Sequence, residues 1–345
     1  MLLNLAGKIA GIPFLGKRAL PLLIGNKGFF LVDKIYDQST RRIATRLIVE
    51  LPGRGCVWYK TSGGCSMCGF NRKLEELNAK WKFSANDMFG LYKIAELLSR
   101  SQKPEAVYIY NGGSFLNPHE IPLKTQLDIC RDISRHQIIS TLFVESRPEF
   151  VRPETIIPLK KALSFKSLEI GLGLEAVSDV VREVFIHKGF TCQDYERAVK
   201  LLKDNGIRVL TYVFLKPLGL SEKEAIEEAV QTIEYAFSAG SDEVSLSCAF
   251  IQEGTLMGKA YREGKFRPPW LWSIIEVVRR TANLGPVKIG SFIDEPAPIA
   301  IPHNCGKCDI QILKILEEYN LFRNTKRFSD VSCDCQTEWR RKNME

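Results

Sequence analysis

No stretch of this 345-residue chain stays apolar long enough to cross a bilayer, which takes about 20 consecutive residues. The most apolar segment, at the N-terminus, is interrupted by Lys8, Lys17 and Arg18 and by scattered Gly and Pro. It also lacks the unbroken apolar run and small-residue cleavage site of a secretory signal. Residues 1–40 are therefore expected to form an N-terminal arm that packs on the body or touches RNA. A cytoplasmic protein with no membrane partner is expected. Internal repeats and low-complexity tracts are missing too, which argues against a solenoid. Cysteine is scarce for a disulfide scaffold, with ten residues in the whole chain. Seven of the ten nevertheless cluster, as Cys56, Cys65 and Cys68 and then Cys305, Cys308, Cys333 and Cys335. Such grouping is what metal sites look like in a reducing compartment. Cys130, Cys192 and Cys248 stand alone and read as buried free thiols.

What is present is an ordinary globular mixture, 45% apolar and 26% charged. Lys and Arg number 48 against 40 for Asp and Glu, a formal charge of +8. That balance suits a polyanion such as RNA, because cations that neutralise phosphates release condensed counterions. It suits a merely basic soluble protein equally well. Short β-branched runs at 45–51, 106–110, 140–145, 168–174, 208–214 and 243–250 alternate with helical patterns at 87–98, 123–135, 153–163, 178–185, 193–205 and 221–239. A weaker strand is expected at 287–292, after a helix over 269–282. Alternation of this kind predicts an α/β fold, a partial (β/α)6 TIM-like barrel, over residues 41–295. In such a barrel the chemistry sits at the C-terminal ends of the strands. From about Pro296 the alternation stops, and residues 296–345 are expected to be a small Cys-rich, metal-binding extension.

The first strand leads into Leu51-Pro-Gly-Arg-Gly-Cys56-Val-Trp-Tyr-Lys-Thr-Ser-Gly-Gly-Cys65-Ser-Met-Cys68-Gly-Phe70. A Cys-x-x-Cys pair and a third cysteine from a Gly-rich loop can hold a 4Fe–4S cluster, leaving one of its four irons open. An open position separates catalytic metal sites from closed ones. The competing assignment is a structural zinc completed by His119 or a tail cysteine. In the tail, Cys305-x-x-Cys308 and Cys333-x-Cys335 offer four thiolates from two short loops, which suits zinc or a second iron–sulfur cluster.

The loop resembles that of the radical S-adenosylmethionine (SAM) enzymes in the elongator-like branch. More narrowly, Gly63-Gly-Cys65-Ser-Met-Cys68-Gly69 is similar to the archaeosine biosynthesis radical SAM family, the beta subunits of archaeosine synthase. Further landmarks follow in order: Asn111-Gly-Gly-Ser-Phe-Leu-Asn117, Val144-Glu-Ser-Arg-Pro-Glu149, Gly173-Leu-Glu-Ala-Val-Ser-Asp179, His187-Lys-Gly-Phe190, His303-Asn-Cys-Gly-Lys-Cys308 and Cys333-Asp-Cys335. The resemblance runs from about Arg46 to Cys335.

It implies that Cys56, Cys65 and Cys68 carry a 4Fe–4S cluster and that Gly112, Gly113 and Ser114 receive the methionyl amino group of SAM. Glu145 is implied as an acceptor for ribose hydroxyls or an ammonium, and Arg147 as a donor to the SAM carboxylate; an ion pair at the barrel rim is the plainer role for Arg147. Glu175 needs donors or a cation, from SAM or from a substrate amine. His187 and Lys188 suit SAM, tRNA phosphate or an exposed turn, and the edge Lys216-Pro-Leu-Gly219 suits adenine. The implied reaction is that of a lyase on archaeal tRNA. A SAM-derived radical attacks the lysine adduct of 7-cyano-7-deazaguanine, and a carbon–nitrogen bond breaks to leave archaeosine. The implied partners are the archaeosine synthase alpha subunit, tRNA and a reducing electron donor. The tail is too short for the acetyltransferase domain of elongator-type enzymes. Two alternatives remain open: another radical SAM enzyme of RNA modification, and a non-catalytic, zinc-stabilised RNA-binding protein.

Overall fold

A computed structural model describes residues 29–80, 82–292 and 296–343, so most of the expected arm, residues 1–28, lies outside the described residues. One sheet runs in sequence order through β1 (Phe30–Asp37), β2 (Arg42–Glu50), β3 (Ala106–Tyr110), β4 (Thr141–Ser146), β5 (Ser167–Glu175), β6 (Arg208–Leu215), β7 (Glu243–Cys248) and β8 (Val287–Ile289). From β2 to β8 every pairing is parallel. This is the predicted partial barrel, with β8 in place of the weak strand. It also has an addition. Residues 30–37, which the sequence pattern assigns to the arm, form a strand antiparallel to β2, in register from Phe30↔Val49 to Asp37↔Arg42. Asp37 shapes the turn between them by accepting from the Ser39 N–H at 2.8 Å.

Helices fill the crossovers. After β2 come α1 (Val57–Ser62), α2 (Phe70–Lys80) and α3 (Ala85–Ser99), followed past β3 by α4 (Leu123–Arg135) and past β4 by α5 (Pro153–Leu163). A π-helix (Val180–Ile186) and α6 (Cys192–Asp204) follow β5, and α7 (Glu222–Ser238) follows β6. Then come α8 (Leu256–Arg262) and α9 (Leu271–Thr281), and beyond β8 lie α10 (Asp309–Phe322) and α11 (Cys335–Asn343). Ser84, Thr191 and Ser221 open α3, α6 and α7 with reciprocal capping boxes, each N-cap worth about 0.5–2 kcal/mol. The helices bury aliphatic faces such as Leu91, Ile129, Leu159 and Leu202 on the outer side of the sheet.

Inward-facing positions alternate with these along each strand, as the pleat requires. Tyr108, Phe143 and Leu210 fill the barrel with Tyr110 and Tyr212, and the Tyr108 and Phe143 rings stack at 4.5 Å. The N-terminal end of the barrel is plugged by charge, with Arg323 bonding Glu243 at 2.8 Å, Lys288 3.9 Å from Glu243 and Arg208 3.7 Å from Glu169. Burial, and then the nearby Glu243, push Glu169 up to about 7. With that end sealed, access is from the C-terminal mouth.

The Cys-rich extension is more than a staple. Ile312, Ile315, Leu316 and Tyr319 of α10, with Trp339 of α11, share one core with β6–β8, α7 and α9. Asn320 accepts from the Ile289 N–H and donates to its carbonyl, both at 2.8 Å, while the Tyr319 hydroxyl donates to the Val287 carbonyl. The open edge of β8 is thereby covered. Among the described residues no helix is long and apolar enough to cross a membrane.

Candidate active site

Cys56 is the N-cap of α1, and the backbone N–H groups of Tyr59 and Trp58 in the first turn favour its thiolate. The helix ends on Gly63 at φ 84°, and Gly64 at φ 78° packs its α-carbon against Tyr59, where a Cβ would stand 2.9 Å from the ring. This left-handed pair reverses the chain into Cys65-Ser-Met-Cys68, a turn closed by the Cys68 N–H donating to the Cys65 carbonyl at 3.1 Å. Asn71 then ties the two ends together. Its Oδ1 accepts from the Cys56 N–H at 2.8 Å, and its Nδ2 lies 3.8 Å from the Cys68 sulfur.

Other elements clamp the loop from three sides. The Ser66 N–H and hydroxyl donate to the carbonyls of Ile186 and Phe185, at 2.9 and 2.7 Å. Gln252, just past β7, accepts from the Gly69 N–H at 2.9 Å. The Trp58 indole donates to the His187 carbonyl, and His187 Nδ1 meets the Gly64 carbonyl, each at 2.8 Å. The segment 178–185, predicted as an ordinary helix, is the π-helix, and the left-handed His187 (φ 65°) ends it. The wider helix is held by Arg182, a fully buried guanidinium bonded to the carbonyls of Phe190, Ala176 and Val177. No periodicity signals it.

The Gly-Gly-Ser segment after β3 backs onto this loop. Glu120, fully buried, accepts from the Ser114 N–H (2.5 Å), the Val57 N–H (3.1 Å) and Asn117 (3.0 Å). It bolts the segment to the start of α1, and burial raises its carboxyl. At Gly113 a Cβ would collide with Glu120 and stand 3.2 Å from the Cys56 α-carbon. Only glycine permits that approach. Ser114 is itself fully buried, its hydroxyl accepting from the Arg147 N–H at 3.1 Å.

Arg147 lies between two rings, 5.0 Å from that of Trp58 and 5.4 Å from that of Phe190. Its Nε donates to Glu149 at 2.5 Å, whereas Nη2 is buried with no partner. Glu145 faces the barrel interior against Tyr212, whose phenol burial and that carboxylate hold well above its usual range. Glu175, left-handed at φ 67° on a bulge of β5, finds its cation within the chain, where Lys188 Nζ donates at 3.2 Å with both side chains buried. Lys188 is thus an interior residue, not part of an exposed turn. At the end of β6, Lys216 bonds Glu222 at 2.9 Å, also within the chain.

The three thiols are free and gather here. Burial raises all of them, Cys68 to about 12, and Cys68 senses the charges of Cys65 and Cys56. Opposing that rise at Cys65 are Lys188 and Arg147. The sulfurs are not among the groups whose ligand atoms all lie within 4.8 Å of one another. A single zinc ion holds thiolates about 3.8 Å apart, the tetrahedral edge for metal–sulfur bonds of about 2.3 Å. Ligands on separate irons stand further apart. The donor set of three free thiols, the glycine cradle at Cys56 and the unpartnered Arg147 Nη2 fit a cluster with a ligand beside it.

The tail cysteines present the other case. Cys305 and Cys333 sulfurs are 3.7 Å apart, as are those of Cys308 and Cys335, and all four lie within 4.8 Å. Those spacings match the edge of a tetrahedron around one ion. Trp272 Nε1 donates to the Cys335 sulfur at 3.3 Å and Asn304 Nδ2 to that of Cys308 at 3.4 Å, bonds that favour thiolates. A third group, Glu96, Asp132 and His136, already holds the Lys93 ammonium at 2.9 Å from both carboxylates.

No family model matches the chain. It is 32% identical over 300 residues to the archaeosine synthase subunit beta of Methanosarcina acetivorans, covering 86% of this chain and 84% of that one. To the protein of the same name from Thermococcus kodakarensis it is 29% identical over 307 residues, covering 88% and 93%. Among solved structures, an N-terminally truncated archaeal Elp3 from Methanocaldococcus infernus aligns over 66% of this chain and 58% of its own, at 18% identity and a TM-score of 0.48.

Proposed function

The chain belongs to the archaeosine synthase subunit beta family, and from that premise we propose that it is a radical SAM enzyme of tRNA modification. Its substrate is the lysine adduct of 7-cyano-7-deazaguanine in tRNA, and breaking a carbon–nitrogen bond of that adduct leaves the formamidine of archaeosine. When bound, a 4Fe–4S cluster and SAM would supply the radical chemistry that acts on the lysine-derived side chain.

The chain's own residues do the holding. Cys56, Cys65 and Cys68 ligate the cluster, and Gly112 and Gly113 present bare backbone to the methionyl amine. Arg147, flanked by Trp58 and Phe190, offers Nη2 to the SAM carboxylate. Ser114, on the same segment, also positions the Arg147 backbone. Glu145 serves ribose or an amine from the barrel wall, whereas Cys65 and then Glu175 oppose burial and favour the Lys188 ammonium, which donates to Glu175. In the tail, Cys305, Cys308, Cys333 and Cys335 hold zinc, which the 3.7 Å sulfur spacings favour over a second cluster. The alpha subunit supplies the lysine adduct and an external donor supplies electrons.

The observation that carries this reading is the meeting of three free thiols with a buried, unpartnered guanidinium nitrogen at the barrel mouth. The test is anaerobic incubation of the reconstituted protein with SAM, a reductant, the alpha subunit and adduct-bearing tRNA. Archaeosine and 5′-deoxyadenosine are the expected products, and Cys65→Ala removes both without unfolding the chain. Deoxyadenosine formation by that variant would refute the cluster assignment, and deoxyadenosine without archaeosine would refute the substrate.

A further inference from the structure

Lys188 and Glu175 are each only 7% exposed, and they bond to each other at 3.2 Å. Two charges taken out of water carry a desolvation cost that an apolar pair of the same volume avoids, so stability alone is a poor reason for them. The chain sets Lys188 beside Cys65 through bonds on both sides of that cysteine. The Ser66 N–H donates to the Ile186 carbonyl at 2.9 Å, and His187 Nδ1 meets the Gly64 carbonyl at 2.8 Å. The Lys188 N–H donates to the Arg182 carbonyl at 3.1 Å, which fixes the turn out of the π-helix. Gly173 leaves room for the pair, since a Cβ there would stand 2.7 Å from Glu175 Oε1 and 2.9 Å from Lys188 Nζ.

The pair is also oriented. Of the charges acting on the Cys65 thiol, Lys188 is the strongest and favours the thiolate, while Glu175 is weaker and opposes it. Lys188 in turn is influenced more by Cys65 than by Glu175. Cys68 also feels Lys188, whereas the leading charges at Cys56 are Glu120 and Arg147. The positive end of the pair therefore lies nearer the Cys65 and Cys68 side of the site, and the negative end lies further off. With both side chains buried, neither solvent nor salt screens that field as it would at the surface.

We propose that Lys188 sets the reduction potential of the three-cysteine site, its buried ammonium favouring the reduced form, and that Glu175 moderates this pull from the far end of the pair. The proposal rests on the cluster assignment above. One electron added at the site makes it one charge more negative, with no bond formed or broken and no proton moved. A fixed cation nearby stabilises that state and a fixed anion destabilises it, because net charge around the sulfurs is one of the protein's levers on such a potential. Lys188 acts through Cys65 and its neighbours, and the proposal needs no contact between Lys188 and SAM or substrate.

The test is a redox titration of the reconstituted full chain without SAM, followed by electron paramagnetic resonance at neutral pH. Lys188→Met should lower the ratio of reduced to oxidised cluster at a fixed potential by about tenfold or more, where tenfold is 59 mV for one electron. Glu175→Gln should move the ratio the opposite way, and Lys188→Arg, which keeps the charge, should stay close to the wild type. Lys188→Met/Glu175→Gln leaves no unpaired buried charge, so it carries the test if Lys188→Met does not fold; its ratio should fall, by less than tenfold. The shifts should persist at high salt. Unchanged potentials overturn the proposal, and so do shifts of the same sign in Lys188→Met and Glu175→Gln, which would mark a merely structural disturbance. Weaker SAM binding by Lys188→Met with an unchanged SAM-free potential also overturns it and assigns Lys188 to the ligand. A wild type that takes up iron and sulfide but shows no reducible cluster sinks the cluster assignment itself, and this proposal with it.

Discussion

Lys188→Met should be among the costliest single substitutions in the barrel mouth. The wild-type ammonium is buried and donates to Glu175 at 3.2 Å. Methionine fills a similar volume but leaves a buried carboxylate with no cation. Breaking a buried pair from one side costs about 3–5 kcal/mol, largely the desolvation of the remaining charge. Burial already raises the Glu175 carboxyl even with Lys188 opposing it, so the variant should raise it further. A carboxyl raised in the folded state binds more protons there than in the unfolded chain, and stability therefore falls as pH rises. The loss should begin above the ordinary carboxyl value of about 4.5 and complete at the folded-state value. The assay is anaerobic urea unfolding of wild type, Lys188→Met and Lys188→Met/Glu175→Gln across that range. The double variant should recover most of the loss. If Lys188→Met costs less than about 1 kcal/mol and shows no pH slope beyond the wild type's, the pair does not balance the charge as argued.

Arg147→Met should weaken SAM binding to the reconstituted protein by roughly tenfold to a hundredfold, the worth of a charge-assisted hydrogen bond. Equilibrium dialysis of labelled SAM measures it, and an unchanged affinity removes Arg147 from the site. Cys308→Ser should abolish zinc in the purified chain and lower its melting temperature, because the site staples α10 and α11 to the barrel core. Metal analysis should find iron at the three-cysteine site unaffected; a parallel loss of iron would mean that the two centres are not independent.

Much of the barrel is legible because parallel strands buried on both faces are written as short β-branched runs and their crossovers as amphipathic periods. Residues 123–135 and 153–163 coincide with α4 and α5 for that reason. β1 is not legible. It carries Asp33, Lys34 and Asp37 as an edge strand, and its strand character comes from pairing with β2. Likewise α10 reads as a loose tail until its apolar face meets β8 and α9.

Local sequence determined the cysteine loop: thiols, glycines and a helix start lie within a few residues of one another, where spacing alone constrains geometry. Tertiary structure decided what surrounds it. Glu120 bonding to Val57, Lys188 pairing with Glu175, and Trp58 and Phe190 flanking Arg147 join residues from separate crossovers. Such pairings depend on where a parallel barrel brings its strand ends together. A buried charge must find its partner across that distance, and no period along the chain records which one it finds.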